Sequence, residues 1–300
     1  MVNNHLVSFS FDCFAIFFLW LSIFSFQRGS WTAGTVAFTL ALSISSHLLL
    51  ALPALGIVMV LALGPVKAAK HVFAVLLYLV LMTAPFAQTP SEMKTHVAWL
   101  LNSTPWFSYE NSTWKIFPQE FYYSGLFATM LRLALASSFT TFALCSWLRP
   151  LRQPFPRAVA ATTHATSPLS SEKREAIASR VDADYIASTL IGAVFLQFMF
   201  APSLSNSAFV YISWGAPVLW HFFPYVDSNL IMGLILGLDR GWTWFISGTT
   251  YAAVGMQCIF VFSLGTSFLK AASTDRQKKD KARQLELPRT TKGEKRTGPA

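Results

Sequence analysis

Acidic and imidazole side chains set into apolar stretches are the groups of this sequence that could move a proton or hold a cation. Asp12 sits in the run FDCFAIFFL and Glu120 in FPQEFYYSGLF, while His47, Arg132, His221 and Asp227 interrupt or border other apolar runs. A carboxylate so placed can serve as general base towards a hydroxyl group. The competing reading for each is an interfacial or internally paired group. Asp182 and Asp184 form an acid-x-acid pair in VDADY, a spacing that can hold a divalent metal bound to a nucleotide sugar. The same pair suits the start of a helix, where the dipole favours negative charge. There is no phosphate-cradling glycine loop, no Ser/His/Asp set with recognisable flanks and no paired-histidine zinc signature. No metal site and no cofactor are therefore expected.

Cysteines and aromatics add less. Cys13, Cys145 and Cys258 lie far apart inside apolar runs, without metal-ligand spacing or a disulfide framework, and are expected to be buried small hydrophobes. Aromatic residues make up 15% of the chain. Trp106, Trp114, Trp214, Trp220, Trp242 and Trp244 fall near expected helix ends, as in an interfacial belt. A minority could line a groove for a lipid or a sugar.

The elements that must position these groups follow from composition. Hydrophobic residues reach 53% and charged residues only 12% of the 300, whereas a soluble domain carries about 25% charged residues. The apolar residues run uninterrupted for close to the ~20 residues that a helix needs to cross a bilayer. In lipid the backbone must satisfy itself, which leaves helices or closed barrels, and alternating strands are absent. The expected fold is all-α, a polytopic transmembrane bundle of about nine spans. These are 9–26, 31–45, 48–63, 71–87, 121–147, 183–201, 206–223, 228–246 and 249–269, with a hairpin turn near Ser45, Ser46 and His47. The N-terminus lacks the basic region and small-residue cleavage site of a signal peptide, so the first run is expected to remain as a span.

Charge gives the bundle a direction. Of the formal net charge of +9, residues 149–181 hold six basic and two acidic side chains, and residues 270–300 hold ten and four. These polar segments flank spans instead of forming a folded basic surface with stacking aromatics, so no nucleic-acid partner is expected. By the positive-inside rule both face the cytosol. Four spans separate them, which puts loop 88–120 in the lumen and places Arg28 and a short basic turn at Lys67 and Lys70 in the cytosol. Two N-glycosylation sequons, beginning at Asn102 and Asn111, lie in that same loop and agree with a lumenal assignment. Pro105 directly after the first favours Asn111. The organisation reads as spans in 1–148, a flexible Pro/Ser/Thr-rich linker in 149–182 with a helical start at Ser171, spans in 183–270, and a disordered basic tail in 271–300 that attracts anionic lipid headgroups.

The segment STWKIFPQEFYYSGLFATMLRLALASSFTTFALCSWLRP resembles the dolichyl-phosphate-mannose-dependent α-1,3-mannosyltransferases of asparagine-linked glycosylation. In that family a lumenal loop ends in a W-x-F-x-P-E-E-x-F pattern, followed by a long apolar helix. Trp114, Phe117, Pro118, Glu120 and Phe121 suit the pattern, and Gln119 replaces its first glutamate. FDCFAIFFL resembles the family's N-D-C segment through Asp12 and Cys13, and ADYIASTLIGAVFLQFMFAPSL resembles the helix after its cytosolic loop. The departures are polar: Ile44, Ser45, Ser46 and His47 stand where the family has a basic stretch, and Pro202 and Ser205 replace its Arg and His.

The resemblance implies a multi-pass membrane enzyme of the endoplasmic reticulum with its C-terminal tail in the cytosol. Its substrates would be dolichyl-phosphate-mannose and a lipid-linked oligosaccharide. The family carries key acidic residues in a first lumenal loop ahead of the segment matched here. Glu120 and Asp12 are then the expected catalytic carboxylates, with Trp114, Phe117 and His47 on the substrate side. Two other classes stay open: a non-catalytic membrane protein, such as a degenerate paralogue, transporter or assembly partner, and a small membrane enzyme acting on an isoprenoid.

Overall fold

The computed structural model describes residues 12–45, 48–83, 89, 91–92, 94, 109–152, 177–179, 181–204, 206–221 and 227–266. Helices dominate, and no strand occurs among these residues. In chain order the longer ones are α1 (Asp12–Gln27), α2 (Trp31–Ile44), α3 (Ala51–Leu63), α4 (Pro65–Thr83), α5 (Gly125–Phe142), α6 (Ala183–Met199), α7 (Asn206–His221), α8 (Ser228–Ile246) and α9 (Thr250–Thr266). Each overlaps one of the nine expected spans. Among the described residues, by length and composition only the α5 helix, taken through its continuation to Trp147, is both long and apolar enough to cross a membrane; α1, α2, α3, α6 and α9 are shorter apolar helices.

Local chemistry sets the boundaries. The α1–α2 reversal is a Schellman turn: Ser30 N–H donates to Ser25 O and Gly29 N–H to Phe26 O, both at 2.9 Å. Gly29 takes the left-handed φ of 75° that this turn requires. The same device closes α8, where Gly248 has φ 90° and Thr249 N–H donates to Trp244 O. Asp182 accepts from Tyr185 N–H at 2.8 Å and Asp227 from Leu230 N–H at 2.8 Å. Both are N-caps that satisfy orphan donors, so the acidic-cap reading of Asp182 holds.

Other expectations need correction. The fourth helix begins at Pro65, directly after Gly64, six residues before the expected start. Lys67 and Lys70 thus lie within its first turns, because proline at the first helical position is preorganised for helix. The fifth element is not continuous from residue 121. A one-turn helix, Gln119–Tyr122, stops at Tyr123, and Ser124 then caps α5 by accepting from Phe127 N–H at 3.2 Å. Cys13 and Cys258 are exposed and Cys145 is half-buried, because they sit on the outward face of the bundle. Trp220 and Trp242 are buried packing residues, whereas Trp214 and Trp244 are exposed; Trp106 lies outside the described residues.

The core sits around α6, which buries twelve of its 17 residues and packs against α1, α3, α5 and α7. Polar contacts tie the helix ends into two groups. At one end Gln27 Nε2 donates to Ala183 O at 3.0 Å, Trp220 Nε1 to Ser263 Oγ at 3.0 Å, and Tyr185 Oη to Trp147 O. Trp147 closes a π-helical turn, Ala143–Trp147, and meets the Phe139 ring edge-on at 4.7 Å. At the opposite end the segment 109–124 meets the end of α6. The outer surface is apolar: Phe17, Phe73, Leu126, Leu133 and Leu236 are each 60–66% exposed. Only 11% of the apolar stretch of the α5 helix is buried. So much contiguous apolar surface marks a face meant for lipid or protein, not water.

α1 and α2 approach closely at Gly34, whose carbonyl accepts from buried Ser22 Oγ at 2.9 Å. A β-carbon there would lie 2.4 Å from the Phe26 ring, whereas one at Gly56 would meet nothing within 4 Å. Gly34→Ala is therefore expected to destabilise the protein by about 1–3 kcal/mol through overpacking. Gly56→Ala is expected to be neutral or to stabilise by up to about 1 kcal/mol through helix propensity. Thermal unfolding of the two variants in detergent, followed by circular dichroism, checks both.

Candidate functional site

The segment YENSTWKIFPQEFYYS, residues 109–124, is folded on itself before it touches the bundle. Tyr109 Oη lies 3.0 Å from Lys115 O and 2.8 Å from Phe117 O, closing the loop. Ser112 Oγ accepts from Trp114 N–H at 3.0 Å, a local turn that a hydroxyl side chain favours. Pro118 then starts the one-turn helix carrying Glu120.

A helix that ends inside a structure leaves its last carbonyls without intrahelical donors, and here α9 serves Met199 while this segment serves the turn that follows. Trp114 Nε1 donates to Ala201 O at 3.2 Å and Tyr122 Oη to Pro202 O at 2.8 Å. Gln257 Nε2 of α9 reaches Thr113 Oγ1 at 2.7 Å and Met199 O at 3.3 Å. In return Leu204 N–H donates to Asn111 O at 2.8 Å. Ser112 and Thr113 are fully buried in this junction. Around it the rings close a cluster centred on buried Phe127, with Trp114 at 6.2 Å, Phe121 at 5.6 Å and Tyr122 at 5.2 Å. Trp114 also stacks on Phe200.

The expected site residues fall into three groups. Glu120 and Phe117 share the outer surface of this segment: Glu120 is exposed and Phe117 is 37% exposed. Trp114 is half-buried, with its indole N–H committed to Ala201. Asp12 stands apart at the start of α1, half-buried and close enough to Tyr211 of α7 to interact with its phenol electrostatically. No contact between Asp12 and Glu120 occurs among the described residues. His47 and Asn102 lie outside the described residues. Asn111 is exposed, in the short 3-10 turn Tyr109–Asn111. Among the described residues no three His, Cys, Asp or Glu side chains group closely enough to hold a metal ion.

Two features escaped the sequence. An apolar groove of about 860 Å³ runs from Cys13, next to Asp12, along Phe17 and Trp20 of α1 to Trp214 and Pro217 of α7 and Ile235 of α8, a size that suits a lipid or other apolar ligand. Lys115 is 8% exposed, and its ammonium makes no hydrogen bond. It lies 5.5 Å from the centroid of the Phe245 ring of α8. Burial pushes its pKa below the ordinary lysine range, and the charge of Glu110 opposes that shift. Apolar periodicity could not place either feature, since both arise where distant elements meet.

The Gln257–Thr113 hydrogen bond is the side-chain link from α9 to the segment. A double-mutant cycle with Gln257→Leu and Thr113→Val is expected to give a coupling of about 0.5–1.5 kcal/mol in unfolding experiments, the range for a partly buried neutral hydrogen bond. Additive effects would place the segment elsewhere.

Comparison with known proteins follows the same stretch of chain. Residues 6–252 match the family model described as ALG3 protein. The chain is 30% identical over 246 residues to a Neurospora crassa protein named Dol-P-Man:Man(5)GlcNAc(2)-PP-Dol alpha-1,3-mannosyltransferase. That alignment covers 81% of this chain and 54% of the relative, so the chain spans about half the length of the relative it matches. No solved structure matches. The matched region takes in the groove helices α1 and α7, the 109–124 segment and the α6 turn that it caps, and the chain belongs to the ALG3 protein family.

Proposed function

We propose that this chain works in the endoplasmic-reticulum membrane, transferring mannose in α-1,3 linkage from dolichyl-phosphate-mannose to a lipid-linked oligosaccharide. The observation that carries the reading is the ordered 109–124 segment, which holds Glu120 in the open at one end of an apolar bundle in a chain of the ALG3 family. The Neurospora relative is named for a dolichyl-phosphate-mannose donor and a five-mannose acceptor. Transfer with inversion requires a base to remove the proton of the acceptor hydroxyl as its oxygen attacks the anomeric carbon. The bond to phosphate breaks, and dolichyl phosphate leaves with the negative charge. Glu120 is the better placed candidate base, because its carboxylate is exposed and engages no hydrogen-bond partner among the described residues. Asp12 is the second, at the mouth of the groove. Phe117 and Trp114 offer exposed ring edges to sugar or isoprenoid, and His47 belongs to the same proposed surface.

In this reading all nine longer helices cross the membrane. The alternating order of helices supports it: the contacts joining Gln27 to Ala183, Tyr185 to Trp147 and Trp220 to Ser263 all fall at the end assigned to the cytosol. The contacts of 109–124 with 199–204 fall at the lumenal end. The basic tail and the linker 149–182 would then be cytosolic, by the positive-inside rule. Asn102 and Asn111 would be glycan acceptors, with attachment at Asn111 preceding the burial of Thr113.

The test is expression of the chain in a cell lacking its own enzyme for this step, with profiling of lipid-linked oligosaccharides. The five-mannose species is expected to be consumed, and its persistence would reject the activity. In a working chain, Glu120→Gln is expected to lower the transfer rate about 10²–10⁴-fold, the contribution of a general base. Asp12→Asn is expected to do so only if Asp12 holds that role. Sidedness is read separately: a tag on the tail should be digested by protease added to sealed microsomes, and Asn111→Gln should abolish one glycan's gel shift.

A further inference from the structure

The ammonium of Lys115 is the least explained group in the bundle. It carries three donors, none of which finds an acceptor, and it is more than nine-tenths buried. The Phe245 ring face offsets part of the cost of burying a charge. Glu110 contributes attraction but is itself exposed. Lysine 115 is also the sole basic residue between Tyr109 and Gly125. A cation held so is structurally unfavourable unless something else uses it.

Its position on α8 supplies the second observation. Ile235, Leu238, Trp242 and Phe245 recur at spacings of three and four, so they form one stripe of the helix. The apolar groove touches this stripe at Ile235, and Lys115 covers it at Phe245. The two are ten steps apart along the helix, a rise of about 15 Å at 1.5 Å per residue. Phe209 of α7 stacks on Trp242 at 4.8 Å between the two points, where Leu238, Trp242 and Phe245 are packed apolar side chains. Phe245 is one residue from the end of α8. An apolar groove and a bare ammonium on one stripe of one helix, the ammonium where the helix stops, have the polarity of a lipid with an anionic headgroup.

We propose that Lys115 is the anion-binding group for an isoprenoid-linked phosphate whose chain lies in the groove between α1, α7 and α8. Lys115 touches the ligand's phosphate oxygens and neutralises them through charge-assisted hydrogen bonds. The flexible four-carbon stem lets the ammonium swing to meet the phosphate. The same contact would stabilise the phosphate as it leaves. This inference rests on the reading that the bundle lies in lipid and takes an isoprenoid-phosphate sugar. Its ligand has two sources, the monophosphate of a sugar donor and the diphosphate of an oligosaccharide acceptor.

The experiment measures binding, without transfer, of dolichyl phosphate, dolichyl diphosphate and dolichol to the full chain in nanodiscs. The wild-type chain is expected to prefer at least one phosphorylated lipid to dolichol by tenfold or more. Lys115→Met should erase that preference without lowering the unfolding temperature, and Lys115→Arg should keep most of it. Trp214→Ala, in the groove, should weaken all three lipids alike. Loss confined to dolichyl phosphate assigns Lys115 to the donor, and loss confined to the diphosphate assigns it to the acceptor. Should Lys115→Met fail to fold, Lys115→Gln carries the same expectation. A wild-type chain without phosphate preference, or neutral variants that keep it, overturns the proposal. A chain inactive in transfer that still binds phosphate through Lys115 would reject the proposed activity and leave this inference standing.

Discussion

The half-buried end of α6 and the turn after it present the carbonyls of Met199, Ala201 and Pro202, and the architecture of the candidate site follows from how they are paired. Donors come from three places remote in sequence: Trp114, Tyr122 and Gln257. A fully buried carbonyl left unpaired costs about 1–3 kcal/mol, and these half-buried ones carry part of that cost. Serving them fixes the 109–124 segment against α6 and α9. Fixing the segment in turn sets where Glu120 is displayed and where Lys115 is buried. A packing requirement at a helix terminus thus determines the geometry of a surface that could do chemistry.

The aromatic cluster completes the clamp and explains its composition. Phe127 is the hub for Trp114, Phe117, Phe121 and Tyr122, which bury large area at little conformational cost. Tyr122 and Trp114 are amphipathic: each packs a ring inward and spends its polar atom on a carbonyl of the 201–202 turn. Phenylalanine at Tyr122 would keep the ring and lose the bond. Trp114 and Phe117, singled out as substrate contacts, thus have a structural duty first, and only their exposed edges remain for a ligand.

Much of the helical framework was legible because apolar run length and helix-stop residues are local signals. Asp182 as a cap needed only its place before an apolar run. The break at Tyr123–Ser124 was missed because an uninterrupted apolar pattern hid a capping serine. Cys13 and Cys258 were assigned to the interior since apolar context does not separate a core-facing from a lipid-facing side. Trp220 and Trp242 were assigned to an interfacial belt by nearness to helix ends, although both are buried, Trp220 with a partner in α9. Glu120 and the 109–124 segment were found through family resemblance, not periodicity. Lys115 and the groove could not be found at all, since each depends on helices more than a hundred residues away.

The clamp is open to direct measurement by hydrogen–deuterium exchange on the chain in nanodiscs, read by mass spectrometry across residues 109–124 and 199–204. The account expects amides there, Leu204 above all, to exchange far more slowly than a free loop. It further expects Trp114→Ala to release both segments together while the middle of α6 stays protected. Exchange of 109–124 at the rate of an unstructured peptide in the wild-type chain, or loss of protection in one segment without the other, would contradict it.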